Sequence, residues 1–219
     1  MSGPQSMKRL AREQFEAWAG TYDRSRLTRF MFDPSYQMFL EELYAWRRDL
    51  HQPFDLLDIG CGTGTFGAML AASPLNARVV GLDYAPAMCK AASDKARAVG
   101  EADRLRFAAA DSEHLPFAAR SFDAVTCSNS FHHYPHQDKV VREMHRVLRP
   151  GGRLMLIDGF RDNVIGWVVF DVIIAAVEKQ VFHAPWWKVQ EYFEAAGFHD
   201  IRRRKFNFWF PLLLTVGVA

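Results

Sequence analysis

Cysteine is scarce in this chain. Only Cys61, Cys89 and Cys127 occur among 219 residues. No two of them form a CxxC pair, so neither a disulfide framework nor a thiolate zinc site is expected, and a reducing, cytoplasmic compartment fits. Charge of one sign is lacking too. Lys and Arg total 27 against 25 Asp and Glu, a net of +2, which is too even to point to a nucleic-acid partner. No apolar run is long enough to span a bilayer comfortably. The stretch 164–181 is broken by Asp171, Glu178 and Lys179, and the tail from Phe206 is divided by Pro211. The first twenty residues are charged and amphipathic without an apolar h-region, so no secretory signal is expected. Repeats and low-complexity stretches are missing as well. What remains is a chain with 49% hydrophobic and 24% charged residues, the composition of a globular domain.

The pattern along the chain has two regimes. Residues 8–19 and 34–50 read as helices, the second opened by Asp33-Pro34. From residue 54 short apolar strands alternate with helices. Strands are expected at 54–59, 77–83, 104–111, 121–129 and 153–158, with helices at 64–72, 86–99 and 136–148 between them. Continuous apolar strands in strict alternation with helices mean a parallel sheet covered on both faces, that is, a doubly wound α/β fold. After it come an apolar, helical insertion at 161–182, a helix from Pro185 to Ala196 capped by Gly197, and two strands turning near Pro211. Those two strands form a hairpin on the sheet edge.

The sharpest chemical signal is LLDIGCGTGTFG, 56–67. Gly60, Gly62 and Gly64 follow an apolar strand and open a helix, where glycine lets the main chain approach a ligand. The same segment, as Gly62-x-Gly64-x-x-Gly67, fits a dinucleotide fingerprint, and Asp83 follows it by roughly 20 residues as a ribose-binding acid should. Two features weigh against a nicotinamide site. A further acid, Asp111, closes the third strand, and the terminal hairpin is foreign to the usual nicotinamide-binding sheet. Bland roles also exist. Asp83 could cap the helix after Pro86, Asp111 could be a loop acid, and Asp58 could be purely structural. Cys61 reads as a small filler with no base beside it.

The blocks LLDIGCGTG (56–64), VVGLDYAPAM (79–88), FAAADSEHLPFAARSFDAVTCSNSFHHYP (107–135) and REMHRVLRPGGRLMLID (142–158) together resemble the class I S-adenosylmethionine-dependent methyltransferases. The resemblance implies a mostly parallel seven-stranded sheet with a C-terminal antiparallel hairpin, S-adenosyl-L-methionine as cofactor, and a methyl acceptor. Under it, Gly60, Cys61 and Gly62 would pass beside the methionine portion and ribose, with Asp58 fixing that loop and the amino end. Asp83 would accept from both ribose hydroxyls, a good match of two vicinal donors to two carboxylate oxygens. Tyr84 and Met88 would pack around the adenine, Asp111 and the backbone of Ser112 would meet its edge, and Asn129 would meet the methionine. The segment QFEAWAGTYDR (14–24) resembles the amino-terminal element of small-molecule methyltransferases, which makes Tyr22 a candidate contact. The implied organisation is one domain: a helical cap at 1–50, a cofactor core at 54–158, a lid or substrate insertion at 161–197, and an edge hairpin at 198–219.

His132, His133 and His136 form a compact HHxxH, but no acid lies inside the cluster, so no metal is expected. His132 and His133 stand where the transferred methyl would arrive and, with Tyr22, are the candidate catalytic groups. Trp167, Phe170, Phe182, Trp186 and Trp187 suggest an aromatic acceptor pocket under the insertion, or ordinary core packing. Phe206, Phe208, Trp209 and Phe210 read as core and edge cover. The run from Arg202 to Lys205 reads as a solvated strand, with contact to acidic lipid or substrate as the alternative. The nearest recognisable branch that the sequence resembles includes the ubiquinone and menaquinone methyltransferases. The chain departs from them after Tyr22-Asp23 (RSRLTRF) and after Gly151-Gly152 (LMLIDGF). The expected acceptor is therefore a small, largely apolar or aromatic molecule, with O, N, S and C all open. A nicotinamide-dependent oxidoreductase and a cofactor-binding module without turnover stay as alternatives.

Overall fold

The computed structural model describes residues 4–20, 26–47, 51–174, 181–208 and 210–219. Two helices come first, α1 (Pro4–Trp18) and α2 (Arg26–Trp46). The alternating core follows: β1 (Phe54–Ile59), α3 (Thr65–Ala71), β2 (Ala77–Asp83), α4 (Pro86–Ala98), β3 (Leu105–Ala109), β4 (Phe122–Ser128), α5 (Gln137–Val147) and β5 (Leu148–Gly159). A short helical segment, Val164–Gly166 running into a π-type stretch Trp167–Ile174, precedes α6 (Trp186–Ala196), β6 (His199–Phe206) and β7 (Leu212–Val218).

The seven strands lie in the order β3-β2-β1-β4-β5-β7-β6. Strands β1 to β5 are parallel to their neighbours, whereas β7 runs antiparallel to both β5 and β6. This is the Rossmann-like sheet with a terminal hairpin that the sequence pattern implies. Strand order reverses beside β1, so the crevice at the carboxyl ends of β1 and β4 is the natural ligand site.

Alternate residues of each central strand feed opposite cores. Phe54 and Leu56 of β1, with Met155 and Ile157 of β5, pack under α2 and α3 against Phe39, Leu43, Phe66 and Leu70. Leu57 and Ile59, with Leu154 and Leu156, meet Val140, Met144 and Phe193 from α5 and α6 on the other side. Both faces are covered, which is why these strands read as unbroken apolar runs.

Three boundaries depart from the sequence reading. Helix α2 starts at Arg26, so Pro34 lies inside it instead of opening it. The helix gains the burial of Ser35, Met38, Phe39 and Leu43 along one stripe, and this packing outweighs the break that Asp33-Pro34 signals locally. Strand β5 begins at Leu148, directly after α5, and carries Arg149-Pro150-Gly151-Gly152 through a register shift against β4. The third strand is shorter than its apolar run and stops at Ala109.

Glu42 is buried on α2 and pairs with Arg202 of β6, tying the helical cap to the edge strand. Phe39 stacks edge-on to Phe66 with ring centroids 5.3 Å apart. Phe39→Ala is expected to cost about 3–5 kcal/mol of unfolding free energy, measured by urea denaturation, because a fully enclosed ring leaves a cavity.

Candidate active site

The apolar strand β1 ends at Ile59 and the chain turns through Gly60-Cys61-Gly62 before α3. Gly60 and Gly62 both sit at positive φ, 72° and 53°. A side chain at Gly60 would collide with Ser130 and Tyr134, whereas the space over Gly62 is open. The loop is thus pressed against β4's exit on one side and bare on the other, a surface a ligand can approach closely. Asp83 at the end of β2 fixes this shape. Its Oδ2 accepts from the Gly62 N–H and its Oδ1 from the Ala85 N–H, each at 2.9 Å. Burial pushes the Asp83 carboxyl up, while those amides favour its charged form.

A cleft of about 960 Å³ lies over this loop, open to solvent on one side. That space includes the solvent above the open side. Its floor includes Gly60, Cys61, Gly62 and Asp83. Tyr84, Met88, Asp111 and Ser112 line one end, and Asn129, Ser130, His133 and Tyr134 the other. Asn129 holds φ 50°, a conformation asparagine tolerates, and its Nδ2 donates to Ser35 and Ser128 at 2.9 Å. Helix α1 lies along the cleft and contributes Lys8, Arg12 and Phe15. The Lys8 ammonium bridges Asp111 at 2.7 Å and Glu113 at 2.8 Å. Burial opposes ionisation of Asp111, yet Lys8 and the Glu113 N–H hold its carboxyl below the ordinary range.

Residues 57–156 match the family model of a methyltransferase domain. This segment belongs to that family. Two curated relatives agree. Methyltransferase GfsG of Streptomyces halstedii is 41% identical over 138 residues, 63% of this chain and 48% of the relative. The ubiquinone/menaquinone biosynthesis C-methyltransferase UbiE of Brucella anthropi is 33% identical over 151 residues, 68% of this chain and 57% of the relative. The chain thus spans about half the length of the curated relatives it matches. Among solved structures, the YcgJ protein of Bacillus subtilis shares the fold with a TM-score of 0.71 at 20% identity, over 85% of this chain and 98% of that one.

Within the methyltransferase domain, nine of the ten cofactor candidates line the cleft: Gly60, Cys61, Gly62, Asp83, Tyr84, Met88, Asp111, Ser112 and Asn129. Asp58 is the exception. It is buried behind the loop, where the Thr126 hydroxyl donates to its Oδ1 at 2.7 Å. Its role toward the loop is indirect, and a direct contact to a ligand is not what this placement offers. Cys61 is enclosed against Cys89 and near Asp83; this hydrogen bonding and burial push its thiol well up, so it stays protonated and is no nucleophile. The third fingerprint glycine, Gly67, has only ordinary contacts around the Cβ it lacks, nearest 3.7 Å. The close helix–strand approach that a dinucleotide fingerprint asks of that position is therefore not in force.

The candidate catalytic residues separate. Tyr22 lies outside the described residues. His133 faces the cleft, its ring edge-on to Phe15 at 5.0 Å. His132 is buried one layer behind, 4.2 Å from the His133 ring, and does not line the cleft. Its Nδ1 is 2.6 Å from Asp158 Oδ1, and its backbone N–H donates to Asp158 Oδ2 at 2.8 Å. Burial disfavours the charged Asp158, but His132 and His183 hold its carboxyl below the ordinary range. The HHxxH histidines do not converge, because His136 turns to Glu113 at 3.0 Å. A different set does: ligand-type atoms of His132, Asp158 and His183 lie within 4.8 Å of one another. Sequence reasoning missed this set because it sought an acid inside the histidine cluster, and Asp158 is 26 residues away.

The aromatic acceptor pocket needs correction. Phe170 packs into the core against Phe210, and Trp167 and Trp187 are exposed. Trp186 lines a second, smaller cavity shared with Asp158, Phe160 and His183. Phe206 and Phe210 do cover the core, Phe208 is exposed, and Trp209 lies outside the described residues.

Burial pushes the Asp58 carboxyl up to about 7, against the Thr126 hydrogen bond and aided by nearby Asp83. Between about pH 4, its ordinary value, and about pH 7, folded protein keeps a proton that unfolded chain has released. Stability therefore falls as pH rises through that window, and the loss is complete above it. Asp58→Asn lacks this loss while keeping an acceptor for Thr126. Its melting temperature relative to wild type is expected to rise from pH 5 to pH 8, and a pH-independent difference would contradict the assignment.

Proposed function

We propose that the chain transfers the methyl group of S-adenosylmethionine to a hydroxyl of a small, largely apolar molecule, acting as one domain. The observation that carries the reading is the bare glycine loop held by Asp83 at the floor of an open cleft whose far ends carry Asp111 and Asn129. The cofactor would supply a methyl group already activated on a sulfonium, so the protein's task is binding, alignment and proton removal.

The residues at hand fit those tasks. Asp83 retains acceptor capacity beyond its two backbone amides and is placed for ribose hydroxyls. Asp111 and Ser112 stand where the purine edge would lie, and Tyr84 and Met88 flank it. Gly60, Cys61, Gly62 and Asn129 border the methionine end. Asp58 supports the loop from behind.

A hydroxyl acceptor must lose a proton, and the two adjacent histidines favour such an acceptor over one already nucleophilic. His133 meets the cleft. His132 holds its Nδ1 against Asp158, which leaves Nε2 as its basic nitrogen and stabilises a positive ring. The pair supplies a proton sink beside the cleft.

Incubation with methyl-labelled S-adenosylmethionine and a metabolite extract, followed by mass spectrometry, is expected to yield a labelled small molecule; labelled protein or nucleic acid would contradict the reading. Asp83→Ala is expected to weaken S-adenosylhomocysteine binding by about 2–4 kcal/mol in calorimetry. Asp158→Asn is expected to lower kcat by about 100-fold while leaving that affinity unchanged, as loss of general-base support does. A fall in affinity equal to the fall in kcat would instead assign Asp158 a purely structural part.

A further inference from the structure

Several of the exposed large apolar side chains lie on the helical segment after Val164 and at the start of α6. Trp167, Val168, Val172, Trp186, Trp187 and Phe208 are all exposed, Trp167 at 53%, Trp187 at 54% and Phe208 at 68%. The Asp162 carboxylate holds the start of α6 beside the chain that leads into the helical segment. The Trp186 N–H donates to Asp162 at 3.1 Å, and the Trp167 N–H donates to Asn163 O at 2.8 Å. The helical segment after Val164 and the start of α6 therefore emerge side by side.

Edge strand β6 adds charge to the same face. Its side chains alternate. Arg202 and Arg204 turn toward α2 and pair with Glu42 and Glu41. Arg203 and Lys205 turn the other way. The Arg203 guanidinium lies 4.3 Å from the centroid of Trp186, and the Lys205 ammonium 4.4 Å from that of Phe160. Among the described residues no carboxylate pairs with either cation. Asp162, held by the Trp186 N–H, is an acid on this face but pairs with neither cation, and exposed indoles beside cations stacked on rings match a bilayer interface. The rings settle at headgroup depth and the cations meet lipid phosphates.

We propose that this face docks the protein on an anionic lipid bilayer. Charge complementarity selects the occupant: the two uncompensated cations favour a negative surface over a neutral one. The second cavity shares Phe160 and Trp186 with the face. The docking itself does not rest on the methyl-transfer reading.

Cosedimentation of the full chain with phosphatidylglycerol-containing vesicles and with pure phosphatidylcholine vesicles tests it, at about 0.1 M salt. Binding to the anionic vesicles is expected to exceed binding to the neutral ones by about tenfold or more. Trp167→Ser with Trp187→Ser, and separately Arg203→Glu, should each abolish the difference. Arg106→Glu carries the same charge change on β3, at the opposite sheet edge, and should leave most of it. Circular-dichroism melting confirms that each variant is folded, and Trp187→Ser alone serves if the double variant is not. No sedimentation with either vesicle would overturn the proposal, as would equal loss in Arg106→Glu and Arg203→Glu. So would a dimer in light scattering that the tryptophan variant disperses while vesicles stay unbound.

Discussion

One carboxylate organises the ligand side of this molecule. Asp83 joins two segments that would otherwise be independent, the glycine loop through Gly62 and the start of α4 through Ala85. The loop's other flank is fixed by sterics, since Gly60 leaves no room for a side chain beside Ser130 and Tyr134. A loop held from both sides costs little further ordering when a ligand arrives, which is the physical meaning of preorganisation. The acid is also enclosed enough that each hydrogen bond to it counts for more than it would in water.

The reacting side is assembled from a different part of the chain. β4 delivers His132 and His133 just past its end, and β5 delivers Asp158 from the neighbouring strand. Adjacent parallel strands thus bring a histidine and a carboxylate together without any sequence proximity. Helix α1 closes the remaining flank through Lys8, whose ion pairs with Asp111 and Glu113 hold the helix over the cleft. Any ligand group that hydrogen-bonds Asp111 has to share that carboxylate with Lys8, which couples the helical cap to that end of the cleft.

Legibility in the sequence followed the physics of each element. The core from β1 to β5 was readable because strands buried on both faces carry unbroken apolar runs, and glycine, proline and acids mark their ends. Asp83 was readable for the same reason, as a polar residue terminating an apolar strand, and Asp111 as the acid that follows the shorter third strand. Pro34 misled, because a strong local break signal was outweighed by the burial of Phe39 and Leu43 on the same helix. The Lys8–Asp111 and His132–Asp158 contacts were invisible, being set by topology across 103 and 26 residues. The tryptophans of the insertion also misled, since aromatic composition does not reveal which way a ring points. Trp167 and Trp187 point outward.

The central claim is that the cleft over the glycine loop is shaped for a thioether nucleoside and not for a dinucleotide. Isothermal calorimetry of the same preparation with S-adenosylhomocysteine and with nicotinamide dinucleotides measures this most directly. The geometry predicts saturable binding of S-adenosylhomocysteine and no heat from the dinucleotides. Tight dinucleotide binding with S-adenosylhomocysteine inert would contradict it.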